Sequence, residues 1–114
     1  MQKKKAPLNA ESFEAVADLF TVLADPTRLM ILYLLKQRAE YVADLVEKSG
    51  LKQSNVSKHL AMLYDAGLVR RERNGNQIRY SISDALVFEL CTLVCQKLYR
   101  ESESQSVVLR NVIR

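Results

Sequence analysis

Few side chains in this sequence could do chemistry, and they fall into three groups. The first is a pair of thiols, Cys91 and Cys95, four residues apart. On a helix, sulfurs at i and i+4 share a face and can converge as thiolates on one soft ion. A disulfide within one helix at this spacing would be strained. A bridge between subunits, a persulfide or a mixed disulfide is easier to build. The same two residues read equally well as small apolar core positions, the usual fate of buried cysteines. The second group is His59, the single histidine. It stands without a cysteine or carboxylate at ligand spacing, so it reads as a satisfied helix histidine within reach of phosphate rather than a metal ligand. The third group is a set of short amides, hydroxyls and cations: Gln53, Ser54, Asn55, Ser57, Lys58, Arg70, Arg71, Arg73, Asn76 and Arg79. Asn can pair with adenine through two hydrogen bonds, and Lys and Arg reach guanine or phosphate. No nucleophile has a base beside it, and three glycines form no phosphate-cradling loop, so nothing here points to an enzyme.

These groups need elements to hold them. Apolar residues at Phe13, Val16, Ala17, Phe20, Leu23 and Ala24 recur at helical spacing and predict a helix from Asn9 to Ala24. Leu19 and Val22 widen its stripe, so it should pack on two sides. Asp25-Pro26 reads as the N-cap and first residue of a second helix, which fades at 37–40. A short third helix carries Val42, Leu45 and Val46 and ends at Gly50. A fourth runs from Gln53 to Ala66 and stops at Gly67, with Val56, Leu60, Leu63 and Tyr64 as its apolar keel. The opposite face holds Ser54, Asn55, Lys58 and Met62. Helices three and four make a helix-turn-helix candidate. The period then switches to two. Leu68–Arg73 and Asn76–Ile82, joined by Asn74-Gly75, predict a hairpin, with Arg73 opposite Asn76 and Arg70 opposite Arg79. Ser83-Asp84 caps a last helix reaching about Glu101, apolar around most of its circumference. The expected architecture is therefore mainly α with a β-hairpin wing, in the order α-α-α-α-β-β-α.

The chain has 114 residues, 48% of them hydrophobic, which suits a single domain with a real core. Residues 1–8 read as a basic flexible N-terminus, 9–101 as the domain and 102–114 as a tail. In that tail Val107, Val108, Leu109, Val112 and Ile113 fit either a short extra helix or a frayed end. Lys and Arg number 17 against 13 Asp and Glu, a net charge of +4. Segment 52–79 alone carries six bases (Lys52, Lys58, Arg70, Arg71, Arg73, Arg79) against Asp65 and Glu72, a surplus equal to that of the whole chain. A basic helix-turn-helix with a basic wing fits a polyanionic partner, double-stranded DNA. Two cysteines are too few for a disulfide scaffold, and no apolar run approaches the ~20 residues that span a bilayer. A cytoplasmic protein with reduced thiols and no membrane partner is expected.

Ala24-Asp25-Pro26-Thr27-Arg28-Leu29-Met30-Ile31-Leu32 resembles the "L-x-x-P-x-R-x-x-I-L" opening of ArsR/SmtB-type repressors. Ser54-Asn55-Val56-Ser57-Lys58-His59-Leu60, Ala66-Gly67-Leu68-Val69 and Gly75–Tyr80 resemble their recognition helix, wing entry and wing return strand. The resemblance covers about residues 13 to 100. It implies a winged helix-turn-helix homodimer that binds operator DNA near its own gene and releases it on binding a ligand. Dimerisation would run through the first and last helices, at Phe13, Val16, Phe20, Phe88, Cys91, Val94, Cys95 and Leu98. These are the two helices whose apolar arcs already ask for extra cover. The family's metal patterns do not carry over: the third-helix stretch Tyr41-Val42-Ala43-Asp44-Leu45 has no cysteine, and the last helix has no histidine. A soft metal or metalloid ion, or a reactive sulfur species, at Cys91 and Cys95 is one candidate effector. A non-thiol ligand with structural cysteines is the other. A winged-helix protein-interaction module is a third reading, which the basic wing disfavours.

Overall fold

The computed structural model describes residues 9–104. Segment 1–8 and the apolar stretch Val107–Ile113 lie outside the described residues. The elements are α1 (Ala10–Leu23), α2 (Pro26–Gln37), β1 (Glu40–Tyr41), α3 (Val42–Ser49), α4 (Gln53–Asp65), β2 (Val69–Asn74), β3 (Gln77–Ile82) and α5 (Leu86–Ser104). The chain divides after Ser83 into two units, the second being α5 and its cap.

In the first unit, local chemistry sets the helix ends. Asn9 and Ser12 form a capping box: Asn9 Oδ1 accepts from Ser12 N–H at 2.9 Å, and Ser12 Oγ accepts from Asn9 N–H at 2.8 Å. Asp25 caps α2 by accepting from Arg28 N–H at 3.0 Å, with Pro26 in the first turn. α4 ends in a Schellman motif. Gly67, at φ 78°, donates to Tyr64 O, and Leu68 N–H reaches back to Leu63 O at 3.0 Å. That closure turns the chain into the wing and carries Leu68 into the core. Ile31, Leu32, Leu45, Val56, Leu60 and Leu63 are the fully buried side chains. They lock α2, α3 and α4 into one helix-turn-helix body. Tyr80 and Val69 seat the wing strands on it.

The sheet has three strands in the order β1-β3-β2, all antiparallel. The sequence reading contains no β1. Its two residues carry no periodicity, and one of them is a buried charge: Glu40 is 2% exposed, paired with Lys48 and, at 3.6 Å, with Arg38. The expected hairpin register is also corrected. Asn74 pairs with Gln77, Arg73 with Ile78, Glu72 with Arg79, and Arg70 with Ser81. The two turn residues are Gly75 and Asn76, because the positive φ falls on the glycine (68°) and no non-glycine residue takes one. Glycine first and an ordinary φ second is what a type II′ turn demands. The like-charge pair Arg70–Arg79 therefore does not form, and Arg79 faces Glu72 instead.

In the second unit, Asp84 Oδ1 accepts from Leu86 N–H at 2.9 Å, and α5 runs to Ser104, three residues past the expected end. Among its large apolar residues, Leu86, Leu93, Val94, Leu98 and Tyr99 are exposed.

Candidate nucleic-acid interface

The keel of α4 is buried at Val56, Leu60 and Leu63. This fixes which side faces out. Gln53, Ser54, Asn55, Ser57 and Lys58 are all exposed in its first two turns. The helix N-terminus adds free N–H groups, a favourable place for phosphate. Lys58 forms no ion pair or hydrogen bond among the described residues, so its charge is available. Tyr64, expected on the keel, is instead exposed, and Arg71 lies over its ring at 3.8 Å. That cation–π contact anchors the first wing strand to the end of α4.

The wing presents Arg70, Arg71, Arg73, Asn76 and Arg79, all exposed. They are not equally free. Arg70 donates to Ser83 O at 3.3 Å. Arg79 pairs with Glu72 at 3.4 Å. Arg73 has no such partner among the described residues, and with Arg71 and Ile78 it lines a depression of about 390 Å³. The wing tip is braced from the body: Asn74 Nδ2 donates to Tyr41 Oη at 2.6 Å. Neither Tyr41 nor Tyr64 has a sequence signal marking it as a wing support, because the first contact depends on β1 and the second on the turn that brings β2 back over the end of α4.

Arg28 is a further organising residue that sequence reasoning left within a motif without a role. It is 8% exposed. Its Nε donates to Val22 O at 2.6 Å and its Nη2 to Thr21 O at 3.3 Å. Both carbonyls belong to the last turn of α1, where a cation is favoured. Its Nη1 faces His59 Nδ1 at 3.2 Å and Met62 Sδ at 3.3 Å. His59 is thus half-buried on the flank of α4, with its Nδ1 engaged by Arg28. Asp25 completes the cluster. The Arg28 N–H hydrogen bond holds its carboxyl below the ordinary range against the opposing effect of burial, and the Arg28 charge adds to the lowering.

On α5, Cys95 is exposed and Cys91 half-buried, and both are free thiols. Neither is a core residue within the described chain. Burial pushes the Cys91 thiol up, with Cys95 adding to the shift. No group of three or more His, Cys, Asp or Glu side chains among the described residues could hold a metal ion. Of the expected interface positions, Phe13, Val16, Phe20, Val94, Cys95 and Leu98 are exposed and Phe88 and Cys91 half-buried. α1 and α5 each leave large apolar side chains exposed within the described residues. No described helix is long and apolar enough to cross a membrane.

Comparison with known proteins agrees with this geometry. The profile of the bacterial regulatory protein arsR family matches residues 25–71, the stretch from the α2 cap into β2. The HTH-type transcriptional regulator NmtR of Mycobacterium tuberculosis is 41% identical over 88 residues, 77% of this chain and 73% of that protein. A Streptomyces lividans protein named "Probable mercury resistance operon repressor" is 40% identical over 80 residues, 70% of this chain, and the chain spans 64% of its length. The solution structure of the homodimeric winged helix-turn-helix DNA-binding domain of Mb0332, from Mycobacterium bovis, superposes with a TM-score of 0.71 at 30% identity. It covers 88% of this chain and 92% of that one.

Proposed function

The chain belongs to the arsR family of bacterial regulatory proteins, and from that premise we propose a homodimeric repressor that reads operator DNA and is released by a ligand. One observation carries the reading. The exposed polar face of α4 and the arginine wing belong to one body, locked by the Schellman turn and the Arg71–Tyr64 contact. In this reading α4 enters the major groove. Asn55 reads adenine, Gln53, Ser54, Ser57 and Lys58 supply further base and phosphate contacts, and Arg70, Arg71, Arg73, Asn76 and Arg79 hold the backbone. His59 supplies a phosphate contact on the flank. The exposed faces of α1 and α5 support dimerisation, as does the homodimeric relative. Two α4 helices would then read half-sites about one helical turn, ~10 base pairs, apart or a multiple of that.

The effector reading rests on Cys91 and Cys95. Their spacing and accessibility suit a soft metal or metalloid ion, or a reactive sulfur species. The raised Cys91 thiol favours a ligand that binds strongly enough to displace the proton. The test is fluorescence anisotropy of the fully reduced protein on the duplex upstream of its gene, with arsenite or a polysulfide titrated in. Release by the wild type but not by Cys91→Ser/Cys95→Ser is expected. Release from both proteins, or from neither, moves the effector to a non-thiol pocket. Failure to bind the duplex at all would leave the protein-interaction reading.

A further inference from the structure

We infer that Arg28 is a positioning residue for DNA binding: it locks the His59 ring so that a neutral Nε2–H points outward as a phosphate donor. The inference rests on the DNA-binding reading above and deepens it. A guanidinium has only donors. With Arg28 Nη1 at 3.2 Å from His59 Nδ1, that nitrogen must be the acceptor, and in a neutral imidazole the proton then sits on Nε2. Arg28 cannot swing away freely, since Val22 O and Thr21 O hold the same guanidinium from α1 and it is 8% exposed.

The other ring edge is free. Among the described residues Nε2 meets no partner, and no buried side-chain polar atom lacks one, so Nε2–H is open to solvent. Its place on α4 says what it meets. Asn55 and His59 are i and i+4, one turn apart on the same side of the helix. His59 stands where the exposed face meets the buried keel of Val56, Leu60 and Leu63. On a helix seated in the major groove, flank positions reach the sugar–phosphate wall while the centre reaches base edges. The donor is neutral and held at one angle. It adds a hydrogen bond to phosphate without releasing a counterion, unlike Lys58.

Two measurements test this. His59 is the only histidine, so a long-range 1H–15N correlation spectrum of tag-free protein reports its ring alone. One tautomer, Nε2–H, is expected near pH 7.5, and both tautomers in Arg28→Met. A mixture in the wild type, or a protonated Nδ1, overturns the lock. A single unchanged form in Arg28→Met removes Arg28 as its cause. Anisotropy on the upstream duplex and on a scrambled one tests the donor. His59→Ala should weaken both about tenfold or more, as loss of a hydrogen bond to a charged acceptor does. It should leave the slope of log K against log salt unchanged, and His59→Gln should recover most of the loss. A slope shallower by about 0.9 would mean a charged contact, and unchanged affinity would mean no contact, and either result overturns the inference. If the wild type binds neither duplex, the DNA-binding reading fails, while the spectrum still decides the lock.

Discussion

Glu72→Gln should make the protein bind DNA more tightly, a gain of function that follows from the hairpin register. Glu72 is the only acid on the wing and lies directly across from Arg79. Their ion pair, 3.4 Å long, joins side chains that are 74% and 48% exposed. Such a pair contributes at most about 1 kcal/mol to stability, so the melting temperature should fall by no more than about 4–8 °C. Removing a negative charge about 7 Å from a phosphate relieves roughly 0.6 kcal/mol in a water-like dielectric, close to threefold in affinity. Arg79, released from its partner, can then take a phosphate of its own, which steepens the salt slope by about 0.9. Together these give roughly three- to tenfold tighter binding near 0.1 M salt. The gain should be equal on specific and scrambled duplexes, because backbone contacts carry no sequence information. Anisotropy titrations at several salt concentrations measure both quantities. Unchanged affinity with an unchanged slope would refute the reasoning, since it would mean that the wing does not face the nucleic acid.

Asn55→Ala should cost about 1–3 kcal/mol on the specific operator and little on random DNA; equal loss on both would remove Asn55 as a base reader. Phe20→Asp or Val94→Glu should convert the dimer to monomer in sedimentation velocity without loss of helix content, because both side chains are exposed within one chain; an unchanged sedimentation coefficient places the interface elsewhere. Asp25→Ala should lower the urea midpoint at pH 7. The Asp25 carboxyl sits below its ordinary range in the folded chain, so its contribution is complete above about pH 4 and fades as acid titrates the folded group. The midpoints of wild type and variant should therefore converge as acid titrates the folded carboxyl, and a gap that widens on acidification contradicts the assigned sign.

The helices were legible because their signals are local: Asn9 and Asp25 as caps, Pro26 in a first turn, Gly50 and Gly67 at left-handed ends. The exposed side of α4 was legible because Val56, Leu60 and Leu63 repeat at helical spacing. What was missed depends on partners distant in the chain. β1 is a strand only because β3 lies beside it, and Glu40 is buried only because Lys48 and Arg38 cover its charge. The hairpin register turned on which residue of Asn74-Gly75-Asn76 takes the positive φ, and the glycine wins because only it does so without strain. That one-step shift changed Arg79 from a repelled cation into a paired one. Arg28 was visible as part of a motif, but its role needed the last turn of α1 and the flank of α4 in one place. Tyr64 left the keel for the same kind of reason, drawn to Arg71 on the next element.

Dimethyl sulfate and hydroxyl-radical footprinting on the DNA upstream of the gene tests the α4-and-wing interface most directly. Two protected major-groove segments about 10 base pairs apart, or a multiple of that, are expected. They should be flanked by backbone protection that Arg73→Ala weakens. Uniform cleavage at saturating protein, or protection that survives loss of both Asn55 and Arg73, would contradict α4 and the wing as the nucleic-acid interface.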